Sequence, residues 1–352
     1  MPVDIKGREM IAPRLLAHYD RHRRTLPWRA HPGATVDPYA VWLSEIMLQQ
    51  TTVAAVTPRF ARFLTRWPTL ADLAQADEAD VMAEWAGLGY YSRARNLIAC
   101  ARLVTEQYGG MLPDNEAALR KLPGIGDYTA AAIAAIAFGQ RAVVVDANIE
   151  RVVARLFAID APLPSGKKAI RAAADAITPD SRAGDFAQGL MDLGASICTV
   201  RDPQCMLCPL RDGCAGFAAG NPARYPVKAA KKAKPERCGT AYWIERDGQV
   251  ALVTRPPHGL FGGMRSFPDD GWRAGADGDG VPPIVADWQV ARRAVRHGFT
   301  HFWIELDLAL CIEFSADMEE VTWWPIDRLE DAGLPTLFAK AATRFKEMRH
   351  AA

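Results

Sequence analysis

Between residues 8 and 196 the apolar positions recur at helical spacing, and after residue 239 much of the pattern switches to alternation. Residues 8–24 predict one helix with Leu15, Leu16 and Tyr19 turned inward. Asp37-Pro38-Tyr39 opens a second, which the pattern carries to about Phe63, and a further helix covers about 78–85. Asn115 and Glu116 open a short helix that Pro123 and Gly124 close. Gly124 and Gly126 let the backbone turn sharply before another helix starts near Asp127. Its Ala130, Ile133, Ala134 and Ala137 form a stripe of small side chains against which a neighbour packs closely. Val143-Val144-Val145 reads as strand-like, and Asp146 suits the N-cap of the helix carrying Ile149, Val152, Val153, Leu156 and Phe157. Helices over about 166–178 and 184–196 complete the series.

Residues 219–238 break this pattern. Pro222, Lys228, Lys231, Lys232, Lys234 and Pro235 without periodicity predict a linker. Beyond it, Tyr242–Ile244 and Val250–Val253 flank Asp247-Gly248, a hairpin signal. Phe302, Ile304, Leu306, Leu308 and Leu310 alternate as a long strand, and Leu337, Phe338, Ala341, Ala342 and Phe345 mark a closing helix. The expected organisation is multidomain: an all-α domain over 1–218, a basic Pro/Lys linker over 219–238, and an α+β domain over 239–352.

At 352 residues the chain can hold two domains with cores of their own, and 49% hydrophobic with 24% charged residues is the balance of a globular protein. No apolar run approaches the ~18 residues of a membrane span. Met1–Met10 has no apolar stretch, so no signal peptide is expected and the cytosol or nucleoid is the expected compartment. The formal net charge is +1, but residues 219–238 hold 6 basic against 1 acidic residue, while 239–352 hold 12 against 17. Any nucleic-acid contact in the first domain must therefore come from a local patch and backbone amides, not bulk charge.

Several stretches carry chemistry. Exposed amides beside Gly124 and Gly126 at a helix start suit a phosphate, though Leu122-Pro123-Gly124-Ile125-Gly126 also serves as an ordinary helix–helix turn. Trp42, Glu45 and Gln49 share one helical face, and a carboxylate among Trp42, Ile46, Met47 and Leu48 should be desolvated and protonated near neutrality. A surface Glu, or one paired with Arg29, is the plainer alternative. Gly87-Leu88-Gly89-Tyr90-Tyr91-Ser92-Arg93-Ala94-Arg95 reads as a loop with phosphate-facing cations and an aromatic available for wedging, or as a packed aromatic turn. Cys198, Cys205, Cys208 and Cys214 follow the spacing C-x6-C-x2-C-x5-C, too compact for most zinc ribbons and better suited to an iron–sulfur cluster.

These motifs, with Leu26-Pro27-Trp28-Arg29 and Ser44-Glu45-Ile46-Met47-Leu48-Gln49-Gln50-Thr51, resemble the MutY-type adenine DNA glycosylases of the helix-hairpin-helix, endonuclease III superfamily. The resemblance covers nearly the whole chain. It implies a helix-hairpin-helix glycosylase core with a 4Fe–4S loop and a MutT/Nudix-like C-terminal domain. It implies a base-excision-repair enzyme, acting as a monomer on duplex DNA that carries adenine opposite 8-oxoguanine or guanine. In that family's terms Glu45 protonates adenine, Asp146 stabilises the sugar cation, Tyr128 stands where lyase relatives carry a lysine, and Asn148 is an active-site asparagine, with Ala147 replacing the usual glycine. Gln50 and Tyr90 fill or wedge the base stack, and Arg29 and Asp192 match adenine-pocket positions. Phe299-Thr300-His301 stands where the family has its 8-oxoguanine-reading loop; Phe299 as simple core is the bland alternative there. The absence of a Nudix-type Glu/Arg run argues against pyrophosphatase chemistry. A lysine-dependent glycosylase/lyase acting on oxidised pyrimidines and a non-catalytic iron–sulfur DNA-binding protein are the competing readings; Tyr128 disfavours the first, Glu45 with Asp146 the second.

Overall fold

A computed structural model describes residues 9–30, 36–229, 233–256, 259–312, 318 and 320–351. Lys231 and Lys232 of the expected linker lie outside the described residues. The chain divides into two compact units, Met1–Ala230 and Lys231–Ala352.

The first unit is helical: α1 (Ile11–His22), α2 (Pro38–Leu48), α3 (Val53–Arg66), α4 (Leu70–Gln75), α5 (Glu78–Trp85), α6 (Ser92–Tyr108), α7 (Glu116–Leu119), α8 (Asp127–Phe138), α9 (Ala147–Leu156), α10 (Lys167–Asp175), α11 (Ala183–Ser196) and α12 (Ala215–Ala218). One continuous core joins them, with Trp42, Phe60, Phe63, Trp85 and Phe186 among its fully buried side chains. Residues 129–135 of α8 are buried on all sides, not along one stripe, and Ala137 is only half-buried; the small side chains let α2 and α11 pack close. A Cβ on Gly184 of α11 would stand 2.4 Å from the Ala135 carbonyl oxygen, so only glycine permits this approach.

Three sequence expectations are corrected here. The single helix to Phe63 is two helices, because Gln50 takes a left-handed backbone (φ 55°) and Thr52 caps α3 by accepting from Ala55 N–H. Gln49 thus ends α2 instead of extending the Trp42–Glu45 face. Val143 and Val144 are buried and Val145 half-buried, but the segment joins no sheet, its apolar residues serving the helical core. The linker is shorter than 219–238: Tyr225 is buried, its carbonyl accepts from Arg155, and Val227 and Ala229 bond with Leu163. A segment whose backbone groups and aromatic side chain find partners on the helical unit folds with it.

The second unit is a mixed sheet of β1 (Glu236–Arg246), β2 (Gln249–Thr254), β3 (Arg265–Ser266), β4 (Gln289–Gly298), β5 (Trp303–Cys311) and β6 (Thr322–Pro325), with α13 (Thr336–Ala351). The strand order is β3-β2-β1-β5-β4, with β6 also pairing β2. β1 and β5 run parallel from Glu236↔Trp303 to Ile244↔Cys311. The β1–β2 turn places both Asp247 (φ 50°) and Gly248 (φ 70°) in the left-handed region, as a two-residue hairpin of this type requires. Alternation sends Ile304, Leu306, Leu308 and Leu310 to the face covered by Leu337, Phe338, Ala341 and Phe345 of α13, and Tyr242, Ile244 and Ala309 to the other.

Candidate active site and cysteine loop

A cavity of about 470 Å³ opens between α2, α8, α9 and α11. Arg29, Glu45, Gln49, Gln50, Thr51, Tyr128, Asp146 and Asn148 all line it, gathered from positions more than a hundred residues apart. Trp28, Gln188 and Arg24 also line it, and the sequence reading had not singled out the last two for this site. Gln188 lies one helical turn before Asp192 on α11, a spacing that could have drawn attention to it.

Glu45 is buried, 8% exposed, in the middle of α2. Burial pushes its carboxyl up to about 7; the Tyr128 hydroxyl beside it and the Arg29 charge pull the other way, while Asp146 adds to the rise. Tyr128, on the first turn of α8, is itself raised by burial and by these two carboxylates. The sequence expectation of a desolvated acid therefore agrees with the environment, and pairing with Arg29 is not its fate: Arg29 is engaged elsewhere.

Asp146 is half-buried and caps α9. Its carboxylate accepts from Ile149 N–H at 2.7 Å and from Asn148 Nδ2 at 2.8 Å. Asn148 Oδ1 in turn accepts from Arg151 Nη2 at 3.0 Å, and Arg151 Nε donates to the Cys198 carbonyl at 2.8 Å. A hydrogen-bonded chain thus runs from the cavity to the start of the cysteine loop. The Cβ that Gly194 lacks would stand 2.7 Å from Asn148 Cβ, so glycine lets α11 pack directly on this asparagine.

Arg29 forms a two-pronged pair with Asp192, Nη1 to Oδ2 at 2.6 Å and Nη2 to Oδ1 at 2.8 Å, and Arg24 N–H adds a bond to the same carboxylate at 3.1 Å. Burial alone would raise Asp192, but these arginines outweigh it and hold the carboxyl below its usual range. Asp192 does not line the cavity; it stands behind Arg29 and fixes the guanidinium that does.

The hairpin between α7 and α8 needs glycine at one position only. Gly124 has φ 76°, and an added Cβ would meet Asn96 Cβ at 2.9 Å. Gly126 is extended (φ −89°) with open space around it and caps α8 without a side-chain bond, so the first-turn amides carry no internal cap.

Arg93 corrects a sequence expectation. It is 9% exposed and donates to the carbonyls of Ile46, Met47, Leu88 and Gly89 and to Thr51 Oγ1, so it faces the protein, not phosphate. Arg95 in the same run is exposed. Tyr90, 61% exposed, and the exposed Gln50 stand at the tips of the two loops that Arg93 joins.

The cysteine loop follows α11. Cys198, Cys205, Cys208 and Cys214 are free, half-buried and face one small space with Arg155, Ile197, Pro203 and Phe217. Arg155, buried, donates from Nη1 to Cys198 Sγ at 3.2 Å and to the Thr199 carbonyl at 2.6 Å. Among the described residues no three metal-binding side chains converge tightly enough for a single ion.

In the second unit Phe299 is half-buried, stacked on Phe302 at 4.6 Å and packed against Phe261 and His297. Its N–H bonds the Phe302 carbonyl, closing a tight turn that exposes Thr300 and His301. Of the three expected reading residues, two are free at the tip and one is largely committed to packing.

This combination, a helical hairpin unit with a buried acid and a capping aspartate on one cavity, defines the class. Residues 43–179 match the HhH-GPD superfamily of base excision DNA repair proteins, and residues 239–344 match the NUDIX domain. A solved thermostable thymine-DNA glycosylase aligns over 61% of this chain and 98% of its own, at 32% identity and a TM-score of 0.54. The human adenine DNA glycosylase is 37% identical over 310 residues, 73% of this chain and 57% of its own length. That of Mycolicibacterium smegmatis is 42% identical over 213 residues, 60% of this chain and 72% of its own. The chain belongs to the adenine DNA glycosylase family. It spans about half the length of the mammalian and plant relatives it matches, between 46% and 59%.

Proposed function

We propose that the chain is a monofunctional glycosylase that removes adenine opposite 8-oxoguanine or guanine from duplex DNA. The observation that carries this reading is the pair of unlike carboxyl groups on one cavity: Glu45, buried and raised to about 7, and Asp146, half-buried and hydrogen-bonded as a helix cap. Two such groups divide the work of an acid and an electrostatic stabiliser.

The bond between adenine N9 and the sugar is unreachable inside the stack, so the nucleotide must be extruded into the cavity. Exposed Gln50 and Tyr90 would occupy the space left in the duplex. The uncapped first-turn amides of α8, directly after Gly126, suit a backbone phosphate. Arg29, held by Asp192, and Gln49, whose Nε2 bonds Thr129 Oγ1, present polar groups toward the base. Protonated Glu45 donates to adenine N7. The C1′–N9 electron pair leaves with the base, and positive charge develops on the sugar. Asp146 stabilises that charge, and Asn148 holds the aspartate in place. Water then adds to C1′ and passes its proton to the Glu45 carboxylate. Since Glu45 must be protonated to begin, single-turnover excision should fall as pH rises above about 7, up to tenfold per unit. A rate that climbs steadily with pH would contradict this assignment.

Tyr128 offers no amine at the hairpin position, so the product should be an intact abasic strand. Borohydride added during turnover should trap no covalent adduct; efficient trapping through a lysine would favour the lyase reading.

Cys198, Cys205, Cys208 and Cys214 fit a 4Fe–4S cluster, which would supply folding energy and hold the loop, with Arg155 bonded to one ligand. The purified protein should contain about four iron atoms per chain by metal analysis. Stoichiometric zinc would overturn the assignment. Cys205→Ser should lower the iron content and weaken DNA binding together.

The second unit, with the exposed Thr300 and His301, would read the base opposite adenine. Thr300→Ala should reduce excision opposite 8-oxoguanine more than opposite guanine by roughly 0.5–1.5 kcal/mol, the worth of one hydrogen bond. Equal losses on both substrates would assign this loop to general affinity.

A further inference from the structure

We infer that Arg93 is a positioning residue that couples the Gln50 loop to the Tyr90 loop, presenting both tips together to the base stack. The inference rests on the proposed stack-filling roles of Gln50 and Tyr90.

One guanidinium reaches both loops. Nη1 donates to the Ile46 carbonyl at 2.9 Å and to the Met47 carbonyl at 3.0 Å, in the last turn of α2, where the Ile46 carbonyl also accepts from the Gln49 N–H at 3.4 Å. A buried positive charge is favourable at that helix end. Nη2 donates to the Leu88 carbonyl at 2.8 Å, to Thr51 Oγ1 at 3.0 Å and to the Gly89 carbonyl at 3.3 Å. The cation also lies against the rings of Trp85, at 5.1 Å, and Tyr90, at 5.8 Å. Thr51 Oγ1 in turn meets the Leu88 carbonyl at 3.4 Å, closing the joint.

The backbone at the two tips shows why such a joint is needed. Gln50 (φ 55°) and Tyr90 (φ 46°) both sit in the left-handed region that non-glycine residues avoid. Such residues persist only where their surroundings over-determine them. Gln50 lies between Met47 and Thr51, both bonded by Arg93; Tyr90 directly follows Leu88 and Gly89, likewise bonded. The same arginine fixes the end of α2 directly after Glu45. A lysine ammonium could not span these acceptors, because it presents a single point with three donors where the guanidinium spreads five across a plane.

A double-mutant cycle on the full chain tests this. Arg93→Lys, the pair Gln50→Ala/Tyr90→Ala, and the triple variant are compared on duplex carrying 2-aminopurine beside the target adenine. The fluorescence gain on binding reports unstacking, and the slope of log Kd against log[salt] reports phosphate contacts. Arg93→Lys should cut the fluorescence gain by roughly threefold or more and add nothing to the loss caused by the tip variants, with an unchanged salt slope. If the tip variants leave the signal intact, the stack-filling reading fails and the inference with it. If they lower it and Arg93→Lys adds an independent loss, the coupling is refuted while the stack-filling reading stands. Thermal melting checks that Arg93→Lys is folded; should it not be, Thr51→Val, which removes one side of the joint, is taken through the same cycle with the same outcomes.

Discussion

Glu45→Gln should leave a folded protein that binds duplex normally and releases adenine ~10²–10⁴-fold more slowly, the usual worth of a positioned general acid. The substitution keeps the shape of a buried side chain on the cavity wall, so it opens no new void. Glutamine is also neutral, and the site already favours a neutral group, as the rise of the carboxyl to about 7 indicates. Stability should therefore hold or increase slightly, and loss of turnover can be assigned to chemistry. The pH dependence supplies an internal control: the fall in wild-type rate above about 7 should vanish in Glu45→Gln. Single-turnover excision near the wild-type rate would remove Glu45 from the mechanism.

Asp146→Asn should cost about 10²–10³ in the same assay while leaving thermal stability nearly unchanged. The reason lies in the two jobs this side chain performs. Its oxygen caps α9 by accepting from Ile149 N–H at 2.7 Å, and asparagine caps a helix almost as well as aspartate. Its charge is what a developing sugar cation requires, and asparagine lacks it. Asp146→Ala separates the roles further, adding a loss of about 1 kcal/mol in stability for the missing cap. An Asp146→Asn variant with normal excision beside an inactive Asp146→Ala variant would make the aspartate a structural cap alone.

Local chemistry was largely legible in the sequence. The glycine-marked hairpin before Tyr128 and the closeness of the four cysteines depend on neighbours within a few residues; Glu45 is buried as expected, although the groups around its carboxyl are the distant Tyr128, Asp146 and Arg29. The Asp247-Gly248 turn and the alternating β5 are equally local. What escaped depends on distant partners. Arg93 looked like a phosphate contact because its acceptors at Ile46 and Met47 lie on another helix. The break after α2 was hidden by a continuous apolar pattern, since the left-handed Gln50 leaves no compositional mark. That Asp192 acts by holding Arg29 is visible only in the fold, since the two lie more than a hundred and sixty residues apart. The segment 219–229 has a linker's composition, yet Arg155 and Leu163, some sixty residues earlier, supply the partners that fold it.

We propose above that this cavity hydrolyses the glycosidic bond of a mispaired adenine. The most direct test incubates the full chain in excess with three duplexes, carrying adenine opposite 8-oxoguanine, adenine opposite guanine, or thymine glycol opposite adenine, and measures the released base and the state of the strand. The expected result is free adenine from the first two, fastest opposite 8-oxoguanine, with an abasic strand left uncut until alkali is added, and no release from the third. Release of thymine glycol with strand cleavage, and no free adenine, would contradict it.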